Sequence, residues 1–393
     1  MAVKYIDELE LEGKHIFLRA DLNVPLADGK ITDDTRIRAV LPTVRKVLRD
    51  GGRLVVASHL GRPKGKYDEK LSLLPVAERM AELLDRDVIM APDVVSDGVK
   101  VVAQQLKDGE IMMLENLRFV PGETANDPEF AAKLAELATV YVNDAFGSSH
   151  RAHASVEALP RLLEEKAAGY LMRKELRYLK EALADPERPF WAILGGAKVS
   201  DKIGVVNTLL DKVDGLIVGG GMAYTFLAAK GFEVGKSLVD GGRITYARET
   251  LARAEKKGVR ILLPVDHVVA ETIAADATVK VVANQDFPTD MMGLDIGPET
   301  IRAYTDALVG AKTIVWNGPM GVFEHAPFAA GTIGIAKAVA ESGSITIVGG
   351  GDSVSAVKKA GMADKISHIS TGGGASLELL EGKELPGVTA LES

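Results

Sequence analysis

The chain has 393 residues, 47% of them hydrophobic and 26% charged, with a formal net charge of −8 and no cysteine. Single cores stop growing at about 250–300 residues, so two domains are expected, and the missing cysteine excludes disulfides, a thiol nucleophile and thiolate-bound metal. The acidic balance argues against nucleic acid or an anionic membrane as partner. No run of 18 apolar residues occurs and the N-terminal MAVKYIDELELEGK lacks a basic-then-apolar leader, so a cytoplasmic protein is expected.

In chain order, short apolar or β-branched runs alternate with stretches of helical period: HIFLR (15–19), RLVVAS (53–58), DVIM (87–90), EIMML (110–114) and VYVN (140–143). Residues 160–184 read as one long charged helical stretch, followed by the Pro-flanked ADPERP (184–189). The rhythm resumes with WAIL (191–194), GLIV (215–218), RILL (260–263), TIVW (313–316) and ITIV (345–348), so a second α/β unit follows the first, with the boundary within 165–190. Continuous apolar strands alternating with helices predict parallel sheets covered on both faces, and such sheets bind ligands beyond the carboxyl ends of their strands.

In the first half those strand ends are followed by Asp21-Leu22-Asn23, by His59-Leu60-Gly61-Arg62-Pro63, by Glu115-Asn116-Leu117-Arg118, and by Asp144-Ala145-Phe146 leading to His150-Arg151. Arg36, in TDDTRIR at a predicted helix start, adds a guanidinium near the same edge. The planar fork of arginine matches phosphate and carboxylate oxygens. Any one of Arg36, Arg62, Arg118 and Arg151 reads equally well as a solvated residue or a partner of Asp33, Asp34 or Glu115; the four together point to a polyanion. His59 alone reads as a hydrogen-bonded loop histidine, since no serine elbow or acidic partner makes a triad around it.

In the second half, strand 191–194 runs into Gly195-Gly196-Ala197-Lys198-Val199-Ser200-Asp201-Lys202, which predicts a glycine turn opening a helix with both lysines on one face. Further turns are Gly219-Gly220-Gly221 and Gly349-Gly350-Gly351-Asp352-Ser353, each able to bring backbone and a helix start close to an anion. A lone glycine cluster means a tight strand-to-helix turn; three in one half favour a phosphate site. No cluster completes G-x-G-x-x-G, because Tyr224 and Val354 stand at the third position, and Gly231 to Gly235 has one residue too few for a P-loop. In Trp316-Asn317-Gly318-Pro319-Met320-Gly321-Val322-Phe323-Glu324, Glu324 is placed to accept from ribose hydroxyls. Asp352 is the candidate for Mg²⁺, directly or through water, with helix capping as its plain alternative.

Seven segments in order, DLNVPL (21–26), SHLGRP (58–63), ENLRF (115–119), NDAFGSSHRAHAS (143–155), LGGAKVSDKI (194–203), VWNGPMGVFE (315–324) and VGGGDS (348–353), resemble the bacterial-type phosphoglycerate kinase family over essentially the whole chain. Ser353 stands where many relatives carry threonine. The resemblance implies two Rossmann-like, three-layer αβα domains, joined by a hinge and facing each other across a cleft: 1–172 for the triose, with 377–393 packing back on it, and 173–376 for the nucleotide. It implies reversible transfer from 1,3-bisphosphoglycerate to ADP, giving 3-phosphoglycerate and ATP, with Mg²⁺ on the nucleotide and a monomeric enzyme. Asp21, Asn23, Arg36, His59, Leu60, Gly61, Arg62, Arg118 and Arg151 would bind the triose. Gly195, Gly219, Gly293 and Leu294 would form the adenine slot, while Lys198, Lys202, Asn317, Glu324, Gly350, Gly351, Asp352 and Ser353 would surround the phosphates and ribose. Arg36, Lys198 and Lys202 are the expected catalytic residues. Two alternatives stay open from the residues, a non-catalytic nucleotide-binding protein of this fold and an NAD-dependent oxidoreductase, the latter disfavoured by the incomplete fingerprint.

Overall fold

Each of the ten apolar runs forms a strand in the computed structural model, which describes residues 3–392. The chain divides into two compact units, Met1–Arg177 with Glu384–Ser393, and Tyr178–Lys383.

The first unit carries β1 (His15–Ala20), a hairpin of β2 (Leu26–Ala27) and β3 (Lys30–Ile31), then β4 (Arg53–Ala57), β5 (Ile89–Met90), β6 (Ile111–Met113), β7 (Val140–Asp144) and β8 (Glu165–Ala168). Six of these pair in parallel in the order β5-β6-β4-β1-β7-β8. Alternation along β1 sends Ile16 and Leu18 to one face, where they meet Ile37, Val40, Leu41, Val44, Val47 and Leu48 of the helix Thr35–Arg49. Those six recur with helical period, so the helix lays a single apolar stripe on the sheet. Phe17 points to the other face and stacks on Tyr141 of β7. Burial on both faces is why these strands read as unbroken apolar runs. The helix Pro386–Glu392 belongs to this unit: Asn143 Nδ2 donates to Gly387 O at 3.0 Å, and Gly387 N donates to Ser149 O at 2.9 Å.

The second unit carries β9 (Phe190–Leu194), β10 (Gly215–Val218), β11 (Arg260–Leu262), β12 (Asp266–Ala270), β13 (Lys280–Ala283), β14 (Met292–Ile296), β15 (Thr313–Asn317), β16 (Ile345–Gly349) and β17 (His368–Ile369). Six pair in parallel in the order β11-β10-β9-β15-β16-β17, the doubly wound order in which the chain reverses direction across the sheet between β9 and β15. The other three form a small antiparallel sheet, β13-β12-β14. The class is therefore α/β with mainly parallel sheets, as expected.

The stretch 160–184 departs from the expected long helix. It breaks into a short helix Leu159–Leu162, the edge strand β8, a helix Tyr170–Leu176 and a π-helical turn Arg177–Glu181. Exposed Glu165 and half-buried Lys166 start β8 as an edge strand, whereas Ala167 and Ala168 are buried beside β7. Gly169 ends the strand against Asp144, where a Cβ would stand 2.3 Å from Oδ1. Charged residues at a sheet edge carry no period that separates strand from helix surface.

Candidate active site

Because each large sheet is parallel, all its strands release their following loops at one edge, and in both units the loops at that edge carry most of the predicted residues, while Gly293 and Leu294 lie on β14 of the small antiparallel sheet. In the first unit Asp21 follows β1, and its Oδ1 lies 2.5 Å from Nη1 of half-buried Arg36. Asn23 Oδ1 accepts from Gly61 N at 2.9 Å, which ties the first loop to the second. Leu60 N donates to Asn116 Oδ1 at 3.2 Å, and Asn116 Nδ2 returns a bond to Leu60 O at 2.7 Å, so the loop carrying His59, Leu60 and Gly61 is clamped from both sides. Gly61, at φ +60, turns that loop and gives its carbonyl to Arg118 Nη1 at 2.8 Å. Arg118 is buried, and its Nε has no hydrogen-bond partner. Arg62 and Arg151 are exposed.

The electrostatics of this edge are those of a site short of negative charge. Burial pulls the Arg118 guanidinium down to about 10, helped by Arg19 and Arg151. Burial pushes the His59 imidazole well below its ordinary value, so it is neutral at physiological pH. Burial of Asp21 opposes its ionisation, but attraction to His59, Arg36 and Arg19 holds its carboxyl below the usual range. With His59 uncharged, the two guanidinium groups supply that attraction. Buried arginines left partly unpaired are costly unless an anion completes them.

In the second unit the glycine turns interlock. Gly195 N donates to Asn317 O at 3.0 Å, Gly196 N to Pro319 O at 3.2 Å, Gly219 N to Leu194 O at 2.9 Å and Met222 N to Gly196 O at 3.0 Å. A Cβ on Gly195 would stand 2.0 Å from Pro319 O, and one on Gly219 2.4 Å from Met320 Sδ, so these two must be glycine for the loops to fit one another. Around Gly351, by contrast, a Cβ would meet nothing within 4 Å. Gly350, at φ +88, opens the helix Gly351–Lys359, with Asp352 exposed on its first turn.

Two predicted residues are placed differently from the expectation. Lys198 is not on a helix face with Lys202: it lies exposed in extended backbone (φ −132, ψ 144) ahead of the turn Val199–Lys202, because Val199 is buried and the helix proper begins at Ile203. Ser353 is fully buried, and its Oγ accepts from Gly318 N at 2.6 Å, so its hydroxyl braces the loop after β15. Lys202 is half-buried and donates to Asn317 Oδ1, leaving the buried Asn317 Nδ2 without a partner beneath Gly350. Burial pulls the Lys202 ammonium down to about 8, against the opposing pull of Asp201, Asp352 and Glu381. Glu324 is exposed, Leu294 is buried, and Gly293 N donates to Ser237 Oγ at 2.9 Å.

The family model described as phosphoglycerate kinase matches residues 6–383. The chain belongs to the phosphoglycerate kinase family. It is 55% identical to a phosphoglycerate kinase of Anaeromyxobacter dehalogenans over the full length of both, and 56% identical to the wheat protein named phosphoglycerate kinase, cytosolic, covering 100% of this chain and 98% of that one. Among solved structures, the phosphoglycerate kinase of Coxiella burnetii superposes with a TM-score of 0.91 at 40% identity, each chain covered to 99%. That of Pyrococcus horikoshii gives 0.82 at 34% identity, with 99% of this chain and 98% of that one covered. The enzyme class expected from the motifs, a phosphotransferase with a carboxyl group as acceptor, follows from this membership.

A buried network lies beneath the strand-end edge of the first unit, and none of its members other than His59 was among the expected site residues. Arg19, fully buried on β1, donates through Nε to Ser155 Oγ at 2.7 Å, and its Nη2 lies 3.3 Å from His59 Nδ1 and 3.8 Å from Glu123 Oε1. Glu123 in turn accepts from Ser155 Oγ at 2.7 Å and Ser155 N at 3.0 Å. The available signal was a charged residue inside an otherwise apolar strand, HIFLRA, since a fully buried arginine requires a partner.

Proposed function

We propose that the first unit binds 3-phosphoglycerate or 1,3-bisphosphoglycerate, that the second binds ADP or ATP, and that the phosphoryl group passes directly between them after the units close. The observation that carries this reading is the pair of strand-end sites: one crowded with guanidinium groups around buried Arg118 and its unpartnered Nε, the other a glycine cradle around the unpartnered amide of Asn317. Asp21 and Asn23 take the hydroxyl and carboxyl end of the triose, and His59, Arg62, Arg118 and Arg151 its phosphate side. Arg36 leaves Asp21 and, with Lys198, meets the transferring oxygens. Lys202 and the start of the helix Gly351–Lys359 hold nucleotide phosphates, Glu324 the ribose, and Gly195, Gly219, Gly293 and Leu294 the base. Ser353 acts through Gly318 and its loop.

The chemistry supports such a division of labour. Phosphoryl transfer through a loose transition state leaves the protein positioning and charge stabilisation to supply. A carboxylate or an ADP phosphate is already ionised at neutral pH, so neither attack needs a general base. Closure also keeps water from an acyl phosphate.

Among the described residues no three carboxylate or histidine side chains gather as a metal cage. Mg²⁺ keeps most of its waters and commonly takes one or two carboxylates plus substrate phosphates, so exposed Asp352 at the phosphate turn fits an ion brought in by the nucleotide. There it would neutralise phosphate charge. A cytoplasmic monomer completes the proposal; the wheat relative's name says cytosolic, and among the described residues no helix is long and apolar enough to cross a membrane.

The test is ADP release from MgATP with and without 3-phosphoglycerate, with the acyl phosphate product removed so that the uphill direction does not stall. Strict dependence on 3-phosphoglycerate is expected. Nucleotide binding without turnover would overturn the proposal.

A further inference from the structure

We propose that Tyr224 is a positioning residue for the base end of the nucleotide site, and that Tyr224, not the nucleotide, requires glycine at position 293. The role rests on the assignment of Gly293 and Leu294 to that site. Tyr224 lies in the helix Met222–Ala229 and is buried. A Cβ on Gly293 would stand 1.8 Å from Tyr224 Oη, 2.2 Å from Cζ and 2.7 Å from Cε1. The missing side chain of Gly293 would therefore point into the protein at a tyrosine rather than out towards a ligand.

The phenol is held by a chain of hydrogen bonds whose direction can be assigned. Asn284 Nδ2 donates to Pro264 O at 3.0 Å, which leaves Asn284 Oδ1 as an acceptor. His267 Nε2 lies 2.7 Å from that Oδ1 and so carries the proton. Burial favours the neutral imidazole, leaving Nδ1 as the acceptor, and Tyr224 Oη, 3.2 Å away, donates to it. Phe287 closes the far side of the ring, edge on at 6.0 Å. Tyr224 Oη thus stands at a fixed place under the backbone of β14, while Ser237 holds Gly293 N from another side. Opposite Gly293, the pairing of β12 with β14 shifts register between Val268 and Val269, an irregularity of the kind that re-aims a strand at a site. Leu294 follows directly, and its carbonyl accepts from Val322 N at 2.8 Å, so a displacement at Gly293 moves the wall of the base slot.

A double-mutant cycle tests this. Gly293→Ala is expected to raise the KM for MgATP by about tenfold or more, the scale of coupling between groups in direct contact. Tyr224→Leu removes the three clashing atoms, so Gly293→Ala in its presence should add less than about a twofold further rise. The KM for 3-phosphoglycerate should not follow these changes. Tyr224→Phe, the variant least disturbing to folding, keeps the ring and loses only the bond to His267; it should raise the KM for MgATP by about two- to fivefold while kcat is retained. Multiplying single effects in the cycle, or an unchanged KM for MgATP in Tyr224→Phe, would overturn the positioning role and leave the nucleotide site where it is assigned. If Gly293→Ala binds MgADP by calorimetry as the parent does, the assignment of Gly293 to the site fails, and the positioning role with it.

Discussion

Arg36 is paired with Asp21 and, in the proposed transfer, leaves it for the migrating phosphoryl oxygens. Arg36→Ala is expected to lower kcat by about 10²–10³, with only a modest loss of triose affinity, as for removal of one transition-state charge contact. An unchanged kcat with a raised KM would remove that role. Lys202 makes a different prediction, because its ammonium titrates at about 8. It is charged below that pH and loses its charge as pH rises through it, so kcat/KM for MgATP should fall on the alkaline side with a midpoint near 8. Lys202→Arg keeps the charge and should abolish that limb, even if it binds less well. Asp144, buried at the end of β7, is pushed up to about 7 by burial, against hydrogen bonds from Thr43, Met172 and Leu171. Between about pH 4, where the unfolded carboxyl titrates, and about 7, the folded protein keeps a proton that the unfolded chain has lost. Stability therefore falls across that window, and the cost is complete above it. Asp144→Asn should melt higher than the parent at pH 8 and no higher at pH 4, as calorimetric scans at the two pH values would show; no pH dependence in the difference would mean that Asp144 is ionised in the fold.

The loop after β15 shows what one hydroxyl does for an element. Ser353 Oγ is the acceptor for Gly318 N inside the fold, so Ser353→Ala strands a buried N–H at a cost of about 1–3 kcal/mol. A lower melting temperature and a raised KM for MgATP are expected, with Ser353→Thr close to the parent in both; if the alanine variant behaves as the parent, the brace is unimportant. Sequence could place a hydroxyl at the phosphate turn but not the direction it points, since that depends on Gly318 arriving from another strand. Eight of the ten strands read from the sequence were legible because burial writes them as unbroken apolar runs; β5 and β11, at sheet edges and only partly buried, were legible as short apolar runs in the same rhythm. β8, β12, β13 and β14 were not: β8 and β13 begin with exposed residues, β12 is buried throughout but opens on Asp266 and His267, and β14 is interrupted by Gly293 and Asp295. The same limit governs the site. Motif order located its loops, but Arg19, Tyr224 and Asn284 act from beneath, through contacts between segments far apart in the chain. The extended backbone at Lys198 followed from burial of Val199, which no local pattern announces.

At the scale of the molecule, the two strand-end sites lie in separate units, and neither holds both substrates in the proposed mechanism. X-ray scattering should therefore give a smaller radius of gyration with both substrates bound than with either alone, and an unchanged value in the ternary complex would count against closure. The central claim is that these residues position and neutralise, while the phosphoryl group moves once, directly, from donor to acceptor. The stereochemical course at phosphorus tests it most directly, using ATP made chiral at the γ-phosphorus and analysing the acyl phosphate formed from 3-phosphoglycerate. A single in-line transfer predicts inversion of configuration. Retention would mean an even number of transfers through a phosphorylated protein group and would contradict the account.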